Sequence, residues 1–193
     1  MADYVKIRAE TVLADAWGTL REFAIDLKRR DGTWQAQTRE IYACGDGAAV
    51  LMHDAARDTV VLIRQFRLPV FLHGAPGYFL EVPAGKLDGD APAVCARREA
   101  EEETGYRLTD LVPCGAVYMS PGAFMERVHL FIAAYSAADL LGEGGGLAQE
   151  GEDIEVVEVP RSRAMAMIGS GEIADAKTII LLLRLAETLG PAQ

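Results

Sequence analysis

Residues 85–105 read GKLDGDAPAVCARREAEEETG, and this stretch decides the fold. Asp90 is a candidate N-cap, Pro92 suits a first helical turn and Gly105 suits a C-terminal stop. The stretch therefore predicts a helix between Asp90 and Gly105. Before it, residues 78–82 predict a short strand that runs into a Pro-Ala-Gly turn, so the helix follows a strand and a glycine-containing loop.

Three glutamates near the end of that helix are candidate metal ligands. Glu99, Glu102 and Glu103 are spaced i, i+3 and i+4, which puts them on one helical face. Carboxylates packed in this way repel one another unless a divalent cation neutralises them, and hard oxygen donors suit Mg²⁺ or Mn²⁺. The alternative is a solvated acidic face, which the neighbouring Glu101 favours. We prefer the metal site because the five-residue pattern arises by chance on the order of once in a million positions.

The rest of the chain predicts an α+β fold. Two alternating runs flank the dipeptide Asp31-Gly32, which is typical of a β-hairpin spanning residues 20–43. Further strands are predicted at 48–52, 59–66, 111–118, 127–135 and 154–159. Short helices are predicted at 162–168 and from Asp175 to about Leu189. Strands thus dominate the first half, without the regular alternation of a parallel α/β sheet.

Composition excludes several classes of protein. The net charge of −10 disfavours binding to a nucleic-acid polymer. There is no apolar run of roughly 18 residues and no basic, apolar N-terminal leader, so we expect a cytoplasmic protein that is not a membrane protein. The cysteines Cys44, Cys95 and Cys114 match no zinc pattern, and we expect reduced thiols. Walker A, GxGxxG and GxSxG motifs are absent from the sequence.

Residues 85–105 resemble the Nudix box, in which a glycine and a spaced glutamate precede Arg-Glu-apolar-x-Glu-Glu-x-Gly-apolar. Ala100 and Tyr106 fill the apolar positions. The segment is one residue shorter than the usual box, and its first acid is replaced by Ala91, with Asp90 as the nearest substitute. The runs VVLIRQFRLP, YMSPGAFMERVHLF, GEDIEVVEVP and GEIADAKT extend the resemblance to the GDP-mannose pyrophosphatase branch, which is close to the ADP-ribose pyrophosphatases.

The resemblance implies a fold and a division of the chain. It implies a Nudix α/β/α sandwich with a mixed sheet in residues 44–193, with the box at 85–105. It also implies an N-terminal antiparallel β-sheet in residues 1–43 that is exchanged across a homodimer.

A set of metal ligands and catalytic residues follows from the same resemblance. The metal ligands would be the Ala84 carbonyl, Glu99, Glu103 and Glu152, and Arg98 and Glu102 would join them as catalytic residues. Glu152 lies in the glycine-rich acidic stretch 142–153, which we expect to be flexible and solvated unless something ties it down. An ordinary loop carboxylate is the alternative for Glu152, and Glu150 or Asp153 could take its role.

Substrate-binding residues are implied as well. Arg67, at the end of an apolar strand, could fork onto a phosphate, or it could be a surface cation. Lys177 could meet phosphate or sugar oxygens, or it could be an exposed helical lysine. Gly85 and Glu126 are also expected to contact substrate, Glu126 through the sugar or a metal-bound water.

In the homodimer that the resemblance implies, the N-terminal region supplies nucleobase contacts to the partner's site. Trp17 could stack on a purine, or it could be an aromatic residue of the dimer core. Glu40 could accept hydrogen bonds from guanine N1–H and N2–H, and Arg39 belongs to the same set.

The resemblance implies Mg²⁺-dependent hydrolysis of a nucleoside diphosphate sugar. The first candidate substrate is GDP-mannose, which would give GMP and mannose 1-phosphate. The first alternative is an ADP-ribose pyrophosphatase that gives AMP and ribose 5-phosphate. The second is a non-catalytic nucleotide-sugar sensor, which the three retained glutamates argue against.

Overall fold

The computed structural model describes residues 3–189. The chain forms two compact units. One comprises residues 3–46 and 118–127, and the other comprises residues 47–117 and 128–189. The predicted division of the chain after residue 43 stays a prediction.

The first unit is built on a three-stranded antiparallel sheet, with strands in the order β1 (Val5–Asp15), β2 (Thr19–Lys28) and β3 (Trp34–Ala43). The turn between β2 and β3 contains Gly32 at φ 87°, a conformation that favours glycine, and Asp31 Oδ1 accepts hydrogen bonds from the Thr33 amide and hydroxyl. The predicted hairpin is confirmed.

The segment 118–127 belongs to this first unit, which the sequence did not predict. The Tyr42 N–H donates to the Ala123 carbonyl at 2.8 Å, and the Met125 N–H donates to the Tyr42 carbonyl at 2.9 Å. The backbone N–H and carbonyl of Tyr42 are thus both hydrogen-bonded to segment 118–127. Such a contact between positions about eighty residues apart leaves no periodic signal in the sequence.

The second unit contains a seven-stranded mixed sheet. Its main order is β10-β5-β4-β9-β8, and β6 and β7 pair with β5 and β4. The β4–β9 pair is parallel and the other pairs are antiparallel. The strands are β4 (Gly47–Asp54), β5 (Thr59–Phe66), β6 (Tyr78–Glu81), β7 (Ala84–Lys86), β8 (Leu111–Val117), β9 (Val128–Ala134) and β10 (Glu155–Pro160). The predicted α+β fold with a mixed sheet is confirmed.

Helices cover both faces of this sheet. The helices are α1 (Leu68–Leu72), α2 (Pro92–Thr104), α3 (Arg161–Ser170) and α4 (Ala176–Leu189). The small residues Cys95, Ala96 and Ala100 of α2 pack with one face of β4. The alternate β4 residues Ala49 and Leu51 point the other way and are also fully buried, and α4 is the helix that contacts β4 and β9 on that side.

Helix α2 begins one residue later than predicted. The N-cap is Ala91, in an extended conformation, and the prediction of Asp90 as N-cap is wrong. The residue before a proline is pushed out of the helical region, so Pro92 makes Ala91 the boundary. Asp90 instead lies 3.6 Å from Arg98 Nε. The predicted stop at Gly105 is confirmed, with φ 78°.

The glycine-rich stretch is tied down on the end of α2. The Gly145 and Gly146 N–H groups donate to the Glu103 and Glu102 carbonyls at 3.0 and 3.1 Å. A Cβ on Gly144 would lie 2.5 Å from the Thr104 backbone carbon, so a side chain there would prevent this approach. The glycines thus supply partners for carbonyls that a helix end leaves unpaired.

Helix α1 and the start of helix α4 can also be compared with the predictions from the sequence. The short helix α1 was not predicted. At the start of α4, Asp175 Oδ2 accepts the Thr178 N–H at 3.0 Å, which confirms the predicted helix cap. Within residues 3–189, no helix combines the length and apolar character that a membrane span requires.

The contact between Gly105 and the glycine-rich stretch generates a test with a matched control. A Cβ at Gly105 would lie 2.2 Å from the Gly142 carbonyl oxygen, whereas Gly171, the left-handed C-cap of α3, has nothing within 4 Å. We expect Gly171→Ala to lower the free energy of unfolding by about 1 kcal/mol, the cost of the left-handed conformation alone. Gly105→Ala should cost clearly more, measured by chemical denaturation. Equal losses would contradict the role of the Gly142 contact.

Candidate active site

The turn between β6 and β7 sets the backbone of the site. The Pro83 carbonyl accepts the Val50 N–H at 3.0 Å, and Ala84 pairs with Ala49 of β4. The Ala84 N–H donates to Glu103 Oε2 at 3.0 Å. The structure therefore brings two of the predicted metal ligands, Ala84 and Glu103, into direct contact.

Glu99 and Glu103 occupy the inward face of α2, one turn apart. Glu103 is 1% exposed and Glu99 is 8% exposed, although both are acids on a helix. A Cβ added at Gly85 would lie 1.9 Å from Glu99 Oε1, so β7 passes directly against this carboxylate. With a larger residue here, the Glu99 carboxylate would have to move away from this position. Gly85 thus shapes the site through its missing side chain.

The environment of Glu103 is short of positive charge. Burial raises the pKa of Glu103 to about 9, and the negative charges of Glu99, Glu81 and Glu152 add to the effect, while the hydrogen bond from Ala84 opposes it. A buried carboxylate with negative neighbours and no cationic partner is costly to ionise. A cation bound here would remove that cost.

Glu99 shares this environment in a weaker form. Burial raises its pKa to about 7, Arg98 opposes the rise, and Glu102 and Glu152 add to it. Glu99, Glu103 and Glu152 therefore act on one another electrostatically. The sequence prediction that acids cluster around the end of this helix agrees with the structure.

Glu102 takes a different position from its two neighbours. Arg98 Nη2 lies 2.9 Å from Glu99 Oε1, and Arg98 Nη1 lies 3.1 Å from Glu102 Oε2. Arg98 also donates to the Lys86 carbonyl at 3.2 Å. Glu102 is only partly buried and turns towards Arg98 on the outer side of the cluster. The shared helical face thus carries two buried acids, Glu99 and Glu103, and one partly buried acid, Glu102.

The glycine-rich stretch brings Glu152 to the cluster. Glu152 is partly buried and its Oε2 accepts the Leu147 N–H at 2.8 Å, whereas Glu150 and Asp153 are exposed. Among the three loop acids, Glu152 is the one that raises the pKa of both Glu99 and Glu103. These contacts favour Glu152 over its neighbours as the acid that belongs to the site.

A divalent metal ion fits this set of donors. Within residues 3–189, no three His, Cys, Asp or Glu side chains converge on one point as they stand, since Glu99 faces Arg98 and Glu152 faces the Leu147 amide. The donors are nevertheless carboxylate and carbonyl oxygens, and the buried Glu103 has no cation bound to it. Hard oxygen donors of this kind suit Mg²⁺ or Mn²⁺.

A buried charge network adjoins the glutamates, and its central residue was missed by the sequence reasoning. Glu81, the last residue of β6, is 2% exposed and is bound by Arg67 Nε at 2.6 Å and by Lys177 Nζ. Lys177 also contacts Asp175 at 3.0 Å. The alternative of an exposed helical lysine is wrong, because the Lys177 side chain is only 13% exposed. A lone acid that ends an apolar strand just before the Pro-Ala-Gly turn was the available signal.

The remaining predicted residues lie in the first unit. Trp17 is 71% exposed and its ring stacks on Tyr42, with centroids 6.3 Å apart. Glu40 points to the same face of β3 as Tyr42, since side chains two residues apart share a face. Arg39 points to the other face and donates to Gln37 Oε1 at 2.6 Å. Glu126 is partly buried. The roles of these four residues stay predictions.

Comparison with known proteins identifies the class to which the chain belongs. Residues 45–179 match the model of the NUDIX domain. The chain belongs to this family, and it is a Nudix hydrolase. Nudix hydrolases generally use divalent metal ions, in agreement with the acidic cluster on α2.

Two further comparisons concern a more specific group of proteins within this family. Residues 4–42 match the N-terminal domain of the GDP-mannose pyrophosphatase NudK. Proteins named GDP-mannose pyrophosphatase from Escherichia coli O1:K1 / APEC, Salmonella arizonae and Shigella boydii serotype 4 are each 44% identical over 183 residues. The match covers 94% of this chain and 95% of each relative. The predicted resemblance is confirmed along almost the whole chain.

Proposed function

We propose that this Nudix hydrolase cleaves GDP-mannose to GMP and mannose 1-phosphate with Mg²⁺ as its metal ion. The observation that carries the proposal is the buried Glu103, which lies beside Ala84 and one helical turn from Glu99 and makes no ion pair within residues 3–189. The names and the high coverage of the relatives support the choice of substrate. ADP-ribose, which would give AMP and ribose 5-phosphate, is the second candidate.

The metal site would be formed by the Ala84 carbonyl, Glu99, Glu103 and Glu152, with Mn²⁺ as a possible substitute for Mg²⁺. Bound divalent ions of this kind neutralise a diphosphate and lower the pKa of a coordinated water. In the overall reaction the oxygen of one water molecule bonds to a phosphorus of the diphosphate and the P–O bond of the bridge breaks. Each product leaves as a phosphate monoester.

The cationic residues would hold the diphosphate. Arg67 is partly exposed and its planar guanidinium suits the oxygens of a phosphate. Lys177 supplies a second positive charge from the first turn of α4. Arg98, placed between Glu99 and Glu102, would keep these carboxylates oriented.

Base recognition is assigned to residues of the first unit. Trp17 offers an exposed aromatic face for stacking, and Glu40 lies on the same side of the sheet as Tyr42. Glu40 would accept hydrogen bonds from guanine N1–H and N2–H, which adenine does not offer. Arg39 and Glu126 complete the proposed set of substrate contacts.

Glu103→Gln is expected to abolish turnover, lowering kcat by about a thousandfold or more, because it removes a negative oxygen donor from the metal site. The matched control is Glu101→Gln on the same helix, where the exposed Glu101 forms an ion pair with Arg107 at 3.3 Å. This variant should keep wild-type kcat. Release of GMP and mannose 1-phosphate from GDP-mannose with saturating Mg²⁺ measures both. Activity of Glu103→Gln near the wild-type level would show that the metal assignment is wrong.

A comparison of two substrates tests the choice of base. We expect kcat/KM for GDP-mannose to exceed that for ADP-ribose by about tenfold or more, since the hydrogen bonds to Glu40 are available only to guanine. Glu40→Gln should reduce the difference without reducing kcat/KM for ADP-ribose. A large preference for ADP-ribose would overturn the proposed substrate, and binding without turnover of either compound would favour the sensor.

We also propose a homodimer that uses the N-terminal sheet. Strand β1 leaves large apolar side chains exposed, among them Ile7, Val12 and Leu13. Leu13→Lys should shift the mass in sedimentation velocity from two chains towards one. Leu183→Lys, at a leucine of α4 with similar exposure, should leave the dimer intact. A wild-type mass of one 20.9 kDa chain would exclude the dimer.

We also propose a cytoplasmic location and no nucleic-acid polymer as partner. The net charge of −10 supports the second of these proposals.

A further inference from the structure

Glu81 binds two cations at once although it is almost fully buried. Its Oε1 accepts the Arg67 Nε–H at 2.6 Å and its Oε2 accepts a hydrogen bond from Lys177 Nζ. Both carboxylate oxygens therefore have a cationic partner. Burial acts to raise the pKa of Glu81, but Lys177 and Arg67 outweigh burial and keep that pKa below its ordinary value. Glu81 differs in this respect from Glu103, whose pKa is raised.

The bond to Glu81 fixes Arg67 while leaving its outer donors available. Only Nε of Arg67 contacts the carboxylate, and within residues 3–189 no hydrogen-bond acceptor pairs with Nη1 or Nη2. The Arg67 side chain is 40% exposed. The guanidinium is planar, so holding Nε also sets the plane in which the two outer nitrogens point. Two parallel N–H groups in a fixed plane match the oxygens of a phosphate.

Lys177 is held on the other side of Glu81 by a second set of contacts. Its Nζ lies between Glu81 and Asp175, and Asp175 Oδ2 accepts hydrogen bonds from the Thr178 amide and hydroxyl. The Thr178 Oγ1 in turn accepts the Val82 N–H at 2.8 Å. The first turn of α4 is thus bound to the end of β6, directly before the turn that carries Ala84.

The pairing of Glu81 also argues against a role as a metal ligand. A metal ion bound to either oxygen would have to share it with Arg67 or Lys177, whose positive charges would repel the ion. Arg67, Lys177, Glu81 and Asp175 have a total charge of zero as a group, so the network needs no further cation. Glu103 of α2, by contrast, makes no ion pair within residues 3–189, and burial raises its pKa.

We propose that Glu81 is a positioning residue that orients Arg67 and Lys177 towards the diphosphate of the substrate without contacting substrate or metal itself. The proposal rests on the proposed function in one respect, that Arg67 and Lys177 bind phosphate. In this arrangement, two cationic side chains recognise a diphosphate, and one buried carboxylate fixes their orientation.

The central test is Glu81→Gln, which keeps the shape of the side chain and removes its charge. We expect KM for GDP-mannose to rise about tenfold or more and kcat to change less than about threefold. The bound substrate and the transition state would lose the same oriented contacts with phosphate, so the barrier between them would change little. Affinity for Mn²⁺, measured by calorimetry, should stay within about twofold. The control Glu158→Gln removes a carboxylate that pairs with Arg57, and it should leave KM, kcat and Mn²⁺ affinity unchanged.

A double-variant cycle separates positioning from general stability. If Glu81 acts through Arg67, Glu81→Gln should raise KM much less in an Arg67→Gln background than in the wild type. Equal effects in the two backgrounds would overturn the part of the proposal that concerns Arg67. A tenfold loss of Mn²⁺ affinity in Glu81→Gln would show instead that Glu81 is a metal ligand. An unchanged or lower KM would overturn the proposal as well.

Two further measurements keep the test decisive. Should Glu81→Gln not fold, Glu81→Asp keeps the charge on a shorter side chain, and a KM equal to that of the wild type would overturn the positioning role. Binding of inorganic pyrophosphate with Mg²⁺, followed by calorimetry, needs no turnover of GDP-mannose. Wild-type protein that binds pyrophosphate at least tenfold more tightly than the Glu81 variant supports the proposal even if GDP-mannose is not the substrate, and equal binding overturns it.

Discussion

The close packing of helix α2 against strands β4 and β7 is the constraint on which the site depends. Small side chains, Cys95, Ala96 and Ala100, let the helix approach β4, and the absence of a side chain at Gly85 lets β7 pass against Glu99. Residues three and seven apart share a helical face, so the same approach that buries Ala100 and Ala96 also buries Glu103. The carboxylates are thus held inside the protein by the packing of the apolar core.

Acidic residues of the second unit fall into two groups that differ in their partners. Burial raises the pKa of Glu99 and of Glu103, and the charge of Glu152 adds to both increases, a cost of ionisation that a divalent ion would relieve. Glu81 instead has two cations, and these tie β5, β6 and α4 together. The charge of the neighbouring residues therefore distinguishes the two groups. The acids proposed to bind metal have acidic neighbours, whereas Glu81, proposed to orient Arg67 and Lys177, has two cationic ones.

The glycine-rich stretch links the backbone of α2 to the acid that completes the cluster. Its amides donate to the carbonyls of Glu102 and Glu103, and Glu152 follows a few residues later. Positive φ angles at Gly144, Gly145 and Gly146 make this path accessible. A sequence that looks flexible is therefore ordered by the helix end on which it lies.

The sequence by itself determined what depends on neighbours along the chain. The hairpin around Asp31-Gly32, the helix that ends at Gly105 and the acidic face of that helix all follow from local periodicity and turn chemistry, and the motif was sufficient to indicate the family. Tertiary structure alone decided that Glu99 and Glu103 are buried while Glu101 of the same helix is exposed. It also decided that segment 118–127 joins the N-terminal sheet. The bond between Glu81 and Lys177 spans 96 positions, and such a pairing exists only once β6 and α4 have packed, because no repeat or spacing in the sequence connects them.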